Sequence, residues 1–422
     1  MKPITHKFRS WVESLRMRIE SLSALRKTIA LPKAHDISER QWFVIESELK
    51  AVEIRLLRRM KRITRAYLPR LQEVQVRQML NASLGEIELE MSKAFAFFDT
   101  YTDLLTQRFM PEIGQMLAGC DVLALEAIKK NHPALAIVEP PLVYCDRGFG
   151  ASTLREGVNL PGRGYNPMPL IQIPYSRLKE KCNLTSIFHE VGHEAMVRLN
   201  LLDTLPRALS KALEKAGAVP TIRDSFALWC SEIGPDFWAF CSCGIAQTAT
   251  IKEILALPPS QVFRIPFGDP HPPPYLRALM TFDWCRQVWG KGVWDDWEKE
   301  WLDVYPLQET PVEMRELIGE MRKFIPTVGR VLLTAKFRTL SGKPIPELFN
   351  LSAIAPATLR NVIKNSENEK LNLKGLSPAT QLSLFRIFKE EKNIEEEKLD
   401  KIMTRWLLKL SERKNTNINK EK

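Results

Sequence analysis

Hydrophobic positions recur at three- and four-residue steps early in the chain, where Trp11, Leu15, Ile19 and Leu22 mark one stripe and Ile45, Leu49, Val52 and Leu56 a second. Stripes of this period lie on one face of an amphipathic helix, so residues from about 8 to 130 are expected to be helical. Leu31-Pro32 and Leu68-Pro69 interrupt the pattern. Proline denies a helix one N–H and clashes with the preceding turn, which predicts a helical hairpin or bundle.

From about 133 to 183 the texture changes to prolines, glycines and short β-type runs: Leu142-Val143-Tyr144-Cys145, Gly162-Arg163-Gly164-Tyr165 and Leu170-Ile171-Gln172-Ile173. Two or three short strands joined by loops are expected. The stretch Met168 to Pro174, bracketed by prolines, reads either as an edge strand on which an extended peptide lays its backbone or as an internal packing strand. Helical period returns at Leu184, Ile187, Phe188 and Val191, with Asn183 as the expected N-cap, and dominates to about 335. A last helical segment follows Gly342-Lys343-Pro344-Ile345-Pro346, turns rich in Lys, Glu and Asn, and is expected to fray from Ser411.

These patterns predict a mainly α (α+β) fold in three regions: a basic helical region over 1–132, a core over 133–340 with a small sheet and a site-bearing helix, and a helical extension over 341–422. With 422 residues, 45% hydrophobic and 26% charged, the chain has the balance of a globular protein rather than a disordered one. No apolar run of about 18 residues is present, and the charged start of the chain differs from an export signal. Seven scattered cysteines do not form a disulfide framework. A cytoplasmic location is expected.

The net charge of +11 is uneven, because residues 1–80 hold 18 Lys+Arg against 8 Asp+Glu. Such a segment is either a solvated helix face or a surface for an acidic partner or a nucleic acid.

Candidate chemistry centres on His189-Glu190-Val191-Gly192-His193. On a helix the four-residue step returns to one face, so His189 and His193 aim two imidazoles at one ion while Glu190 sits beside the open coordination position. Leu184, Ile187, Phe188, Val191 and Leu199 supply the stripe that would bury this helix. Gly192 costs about 1 kcal/mol relative to alanine there, which is reasonable if another backbone packs closely against it. Met196 and Leu199 occupy the positions where a metzincin carries Gly and its third His, so the third ligand comes from elsewhere. Glu232 and Asp236 stand in a Glu-x-x-x-Asp spacing on one helical face, which lets one carboxylate bind the metal while the other accepts a hydrogen bond from a ligand histidine. Pro235 between them is expected to kink that helix at about 3 kcal/mol, or to start a new one.

Together these elements resemble the gluzincins, zinc peptidases with His-Glu-x-x-His on one helix and a ligand Glu in Glu-x-x-x-Asp on a following helix. Asp269-Pro270-His271-Pro272-Pro273-Pro274-Tyr275-Leu276-Arg277 further resembles the His-Pro…Arg segment of the prenyl-protein-protease-like branch, of which this chain, lacking a membrane span, looks like a soluble relative. The resemblance covers about 170–280. It implies Zn2+ on His189, His193 and Glu232, with Asp236 supporting a ligand histidine. Glu190 becomes the general base for hydrolysis of a peptide or protein substrate, and His271, Tyr275 and Arg277 the candidate oxyanion donors. The competing function is a non-catalytic zinc-fold scaffold whose basic N-terminus binds nucleic acid or an acidic partner. Glu194 is read as a supporting or solvated residue, Cys241-Ser242-Cys243 as part of a buried helix, and Gly148-Phe149-Gly150 lacks the rest of a phosphate-binding loop.

Overall fold

A computed structural model describes residues 3–418 except 34, 149, 161–164, 266–267, 365–370 and 393. The expected fold class is borne out: the chain is mainly helical, with one small sheet. Helices α1 (Pro3–Ser21), α2 (Glu39–Tyr67) and α3 (Val74–Thr106) pack around Leu15, Ile19, Leu56, Leu80, Leu84 and Ile87. The breaks fall at the predicted prolines. Ser38 and Gln41 form a capping box that starts α2, each side chain satisfying an N–H of the other. On its solvent side α2 lines a shallow groove with Arg58, Lys61, Arg62 and Arg65, which is where the excess positive charge lies.

Helix α4 (Pro111–Ile128) leaves that bundle and enters the main core through Leu117, Leu123, Ala127 and Ile128. Buried Asp121 pairs with Arg108 at 3.0 Å and accepts the Val143 N–H at 2.8 Å, which ties α4 to the sheet. The strands are β1 (Leu142–Asp146), β2 (Ser152–Leu154) and β3 (Leu170–Pro174), in spatial order β1-β3-β2. β3 runs parallel to β1 and antiparallel to β2. Of the two readings of Met168 to Pro174, the edge strand is therefore overturned. With Leu170, Ile171 and Ile173 all buried, this apolar run pairs on both sides, and the more polar β2 takes the edge. Gly162, Arg163 and Gly164, read as another β-type run, lie outside the described residues, as does Phe149.

After the sheet a 3-10 turn, Lys181–Leu184, leads into α5 (Thr185–Arg198), which carries both site histidines. Leu184, not Asn183, is its N-cap, and no side chain caps it. Asn183 is buried one position earlier, because the 3-10 turn has already begun to wind the chain. Next come α6 (Leu201–Lys215), α7 (Pro220–Cys243), α8 (Ile245–Ile254) and α9 (Pro274–Trp289). Helix α7 continues through Pro235, and the buried cysteines 241 and 243 end it. Three further helices, α10 (Val293–Val304), α11 (Val312–Lys323) and α12 (Ile325–Thr334), flank α9.

The C-terminal helices α13 (Pro356–Lys364), α14 (Pro378–Lys392) and α15 (Glu396–Ile418) share the main core through Leu382, Phe385, Trp406 and Leu407. α15 lies so close to α4 that a Cβ on Gly119 would sit 2.5 Å from the Leu407 carbonyl oxygen. It runs through buried Ser411 to Ile418 rather than fraying from Ser411, and 419–422 lie outside the described residues. Among the described residues no helix is long and apolar enough to cross a membrane.

Candidate metal centre

Three elements converge on one end of a cleft of about 670 Å³. Helix α5 presents His189, Glu190 and His193, α7 presents Glu232 and Asp236, and the segment before α9 presents His271, with Arg277 on α9 itself. Leu184, Ile187, Phe188 and Val191 are fully buried and hold α5 by the stripe its sequence predicts. The helices α5 and α7 touch where Gly192 meets Pro235, which is the close backbone approach expected of that glycine.

The donor spacing is narrow. His189 Nε2 lies 3.2 Å from His193 Nε2 and 3.4 Å from a Glu232 carboxylate oxygen, and His193 Nε2 lies 3.6 Å from the other oxygen. A tetrahedral ion bonded at about 2.0–2.1 Å requires donors about 3.3 Å apart, so His189, His193 and Glu232 fit one metal ion. Two imidazoles and one carboxylate suit a transition metal better than calcium or magnesium, which prefer oxygen.

His189 Nδ1 donates to Asp236 Oδ1 at 2.8 Å, which turns Nε2 towards the other donors and makes it the nitrogen available to a metal. Asp236 is in turn gripped by Arg277, whose Nη2 donates to Oδ1 at 2.9 Å and whose Nε donates to Oδ2, and by the Gln247 amide at 3.3 Å. In the chain Arg277–Asp236–His189, Asp236 and His189 are buried and Arg277 is partly buried at the cleft wall. Nothing in the sequence distinguishes Gln247 from other helical glutamines. Glu194, the residue after His193, is also buried; it accepts from Arg198 Nε at 2.7 Å and from the Glu156 N–H at 3.3 Å, which links α5 to the segment after β2.

The electrostatics follow from this crowding. Burial disfavours the charged form of His189, but the charge and hydrogen bond of Asp236, with Glu232 and Glu190 nearby, outweigh it and push the ring up to about 10 in the metal-free chain. Burial and the neighbouring His189 push His193 the other way, to about 4. Burial raises Glu190 to about 7, against the pull of His189. Burial also opposes ionisation of Glu232 and Asp236, yet His189 holds the first below the usual carboxylate range, and Arg277 with His189 holds the second well below it.

The three expected oxyanion donors separate in space. His271 stands at the mouth, with Nε2 3.6 Å from Glu232 Oε2 and Nδ1 2.6 Å from Asp269. Arg277 lines the cleft, but its fork is engaged by Asp236. Tyr275 is outside it: its ring is buried against Phe263 with centroids 5.0 Å apart, and its hydroxyl interacts with Arg322. Two residues on, Arg277 turns from Tyr275 by about 200° around α9, so the two cannot face one site.

Comparisons with protein-family models, with curated proteins and with solved structures found no match.

Proposed function

We propose that this chain is a zinc metallopeptidase of gluzincin type, in which His189, His193 and Glu232 hold the ion and Glu190 acts as general base. The observation that carries the reading is the placement of a cleft-lining Glu190 beside three converging donors whose lead histidine is locked by Asp236. A scaffold site needs the donors and the lock, but not a base in the cleft.

A zinc ion held there supplies a Lewis acid that polarises a carbonyl and acidifies water. The residues do the rest. Glu190 takes a proton from the attacking water on its carboxylate and passes it to the departing amine, and a pKa brought towards neutrality suits both directions. His271, exposed and beside Glu232, is placed to donate from Nε2 to the developing oxyanion, with Asp269 holding its other nitrogen. Asp236 and Arg277 keep His189 in one tautomer and one orientation. Ser152 and Thr153 of β2 border the same cleft, so the sheet edge rather than β3 is available to an extended peptide.

The test pairs metal content with hydrolysis of a peptide library, for the natural chain and for Glu190→Gln. The expected result is about one zinc per chain in both and a loss of at least 100-fold in hydrolysis for the variant. Equal cleavage by the two would remove Glu190 as the base, and metal without cleavage by the natural chain would favour the scaffold.

A further inference from the structure

The cleft extends past the metal donors to the start of α5. Four of the cleft's lining side chains carry buried polar atoms with no hydrogen-bond partner among the described residues: Thr153 Oγ1, Arg177 Nε, Ser186 Oγ and Gln247 Oε1. Gln247 meets Asp236 through its Nε2, which leaves its Oε1 without a partner.

Arg177 sits on the 3-10 turn Tyr175–Leu178 directly after β3 and is only 6% exposed. Its Nη1 donates to Glu180 at 3.0 Å, and Glu180 itself is largely in solvent. Burial works against the charge on Arg177 and outweighs the support of Glu180 and Glu253, yet a guanidinium does not give up its proton, so a further anion relieves the remaining cost. Ser186 is in the first turn of α5, the positive end of the helix dipole, where no side chain caps the N-terminus. It precedes Glu190 by four residues and so shares its face, and the three-residue step to His189 is about 4.5 Å along the axis. Arg155, exposed at the rim, adds a second positive charge to the same cleft.

We infer that the Arg177–Ser186 end of the cleft is a carboxylate subsite, and that the peptidase proposed above acts on peptides within about two residues of a carboxylate, since an extended chain advances about 3.3 Å per residue. The inference rests on that peptidase reading for its substrate class. Two sources supply the same chemistry: the free C-terminus of a peptide, or an Asp or Glu side chain.

The test measures binding of fluorescein-labelled short peptides to zinc-loaded Glu190→Gln chain, using each sequence as free acid and as C-terminal amide, with Glu and with Gln internally. Affinity is expected to fall about tenfold on amidation if the terminus is recognised, or on the internal Glu-to-Gln exchange if the side chain is. Arg177→Gln in the same background is expected to erase the difference and Ser186→Ala to shrink it several-fold, with zinc content and unfolding temperature confirming the fold. Should Arg177→Gln fail to fold, Arg177→Lys and Ser186→Ala carry the comparison, because lysine keeps the charge but loses the planar fork. Uncharged peptides binding as tightly as charged ones, or no peptide binding at all, overturns the subsite. If discrimination is found but the natural chain cleaves none of the peptides, the peptidase reading falls and the subsite stands.

Discussion

Gly192 rests directly on the backbone of Pro235: a Cβ at position 192 would lie 2.8 Å from the Pro235 Cα and 3.2 Å from its carbonyl oxygen. The two site helices therefore cross with no side chain from α5 between them. His189 and His193 flank this point on α5, and Glu232 and Asp236 flank it on α7. The crossing sets the donor spacing.

Gly192→Ala tests this relationship. The added methyl forces α5 and α7 apart, and overpacking of this kind costs about 1–3 kcal/mol, against about 1 kcal/mol returned by alanine's helix propensity. Donors 3.2–3.6 Å apart tolerate little displacement, so zinc affinity is expected to fall at least tenfold. Competition with a chromophoric chelator measures it. An affinity equal to that of the natural chain would show that the crossing does not govern the site.

Asp236→Asn keeps the shape and removes the charge that faces both His189 and Arg277. Loss of a carboxylate behind a ligand histidine typically costs 10–100-fold in metal affinity. Arg277, partly buried and left without its partner, adds destabilisation of about 1–3 kcal/mol. Thermal unfolding of the metal-free variant isolates the second effect from the first. If Asp236→Asn and Arg277→Met each leave the unfolding temperature unchanged, this ion pair is not what holds this part of α7 in place.

Much of this site was legible because its pieces are local. The step from His189 to His193 fixes two directions on one helix, and Glu232 to Asp236 fixes two on another, whatever the rest of the chain does. Gly192 also announced a close neighbour. What sequence could not supply was the neighbour's identity, and Pro235, read as a kink or the start of a new helix, proves to be the surface on which the glycine rests. Tyr275 failed as a site residue because helical geometry turns it away from Arg277, and β3 failed as an edge because pairing on both sides is a long-range property. Arg177 and Gln247 carry no motif at all; only the fold brings them to the cleft.

The cysteines give a prediction remote from the metal. Burial pushes the thiols of Cys230 and Cys285 up to about 12, and those of Cys120, Cys241 and Cys243 well above the usual range. A raised folded pKa favours the native state fully below the unfolded value of about 8.5, and this contribution is lost as pH rises through the folded one. Stability is therefore expected to decline above about pH 9, while iodoacetamide at pH 8 labels these five thiols only after unfolding. Mass spectrometry of alkylated peptides reads this directly, and rapid native labelling at Cys241 or Cys243 would contradict their burial at the end of α7.

Metal and proton compete for His189, and the sign of that competition is fixed by the groups around it. In the metal-free chain its pKa of about 10 lies above the unfolded value of about 6.5, so the stability it contributes is complete below about pH 6.5 and lost as pH rises through about 10. His193, depressed to about 4, behaves oppositely, and its contribution is present above about pH 6.5 and lost as pH falls through about 4. At pH 8 the metal-free site thus holds a proton on His189 and none on His193. A metal ion must displace that proton, so binding is expected to release about one proton per ion at pH 8, and affinity to rise up to about tenfold per pH unit until about pH 10. Calorimetry in buffers of different ionisation enthalpy counts the proton. A chelator should in turn lower the unfolding temperature by several degrees, since metal in 1,000-fold excess over its dissociation constant stabilises by about 4 kcal/mol. No proton release, together with an affinity flat between pH 7 and 9, would mean that His189 is not held protonated in the metal-free chain.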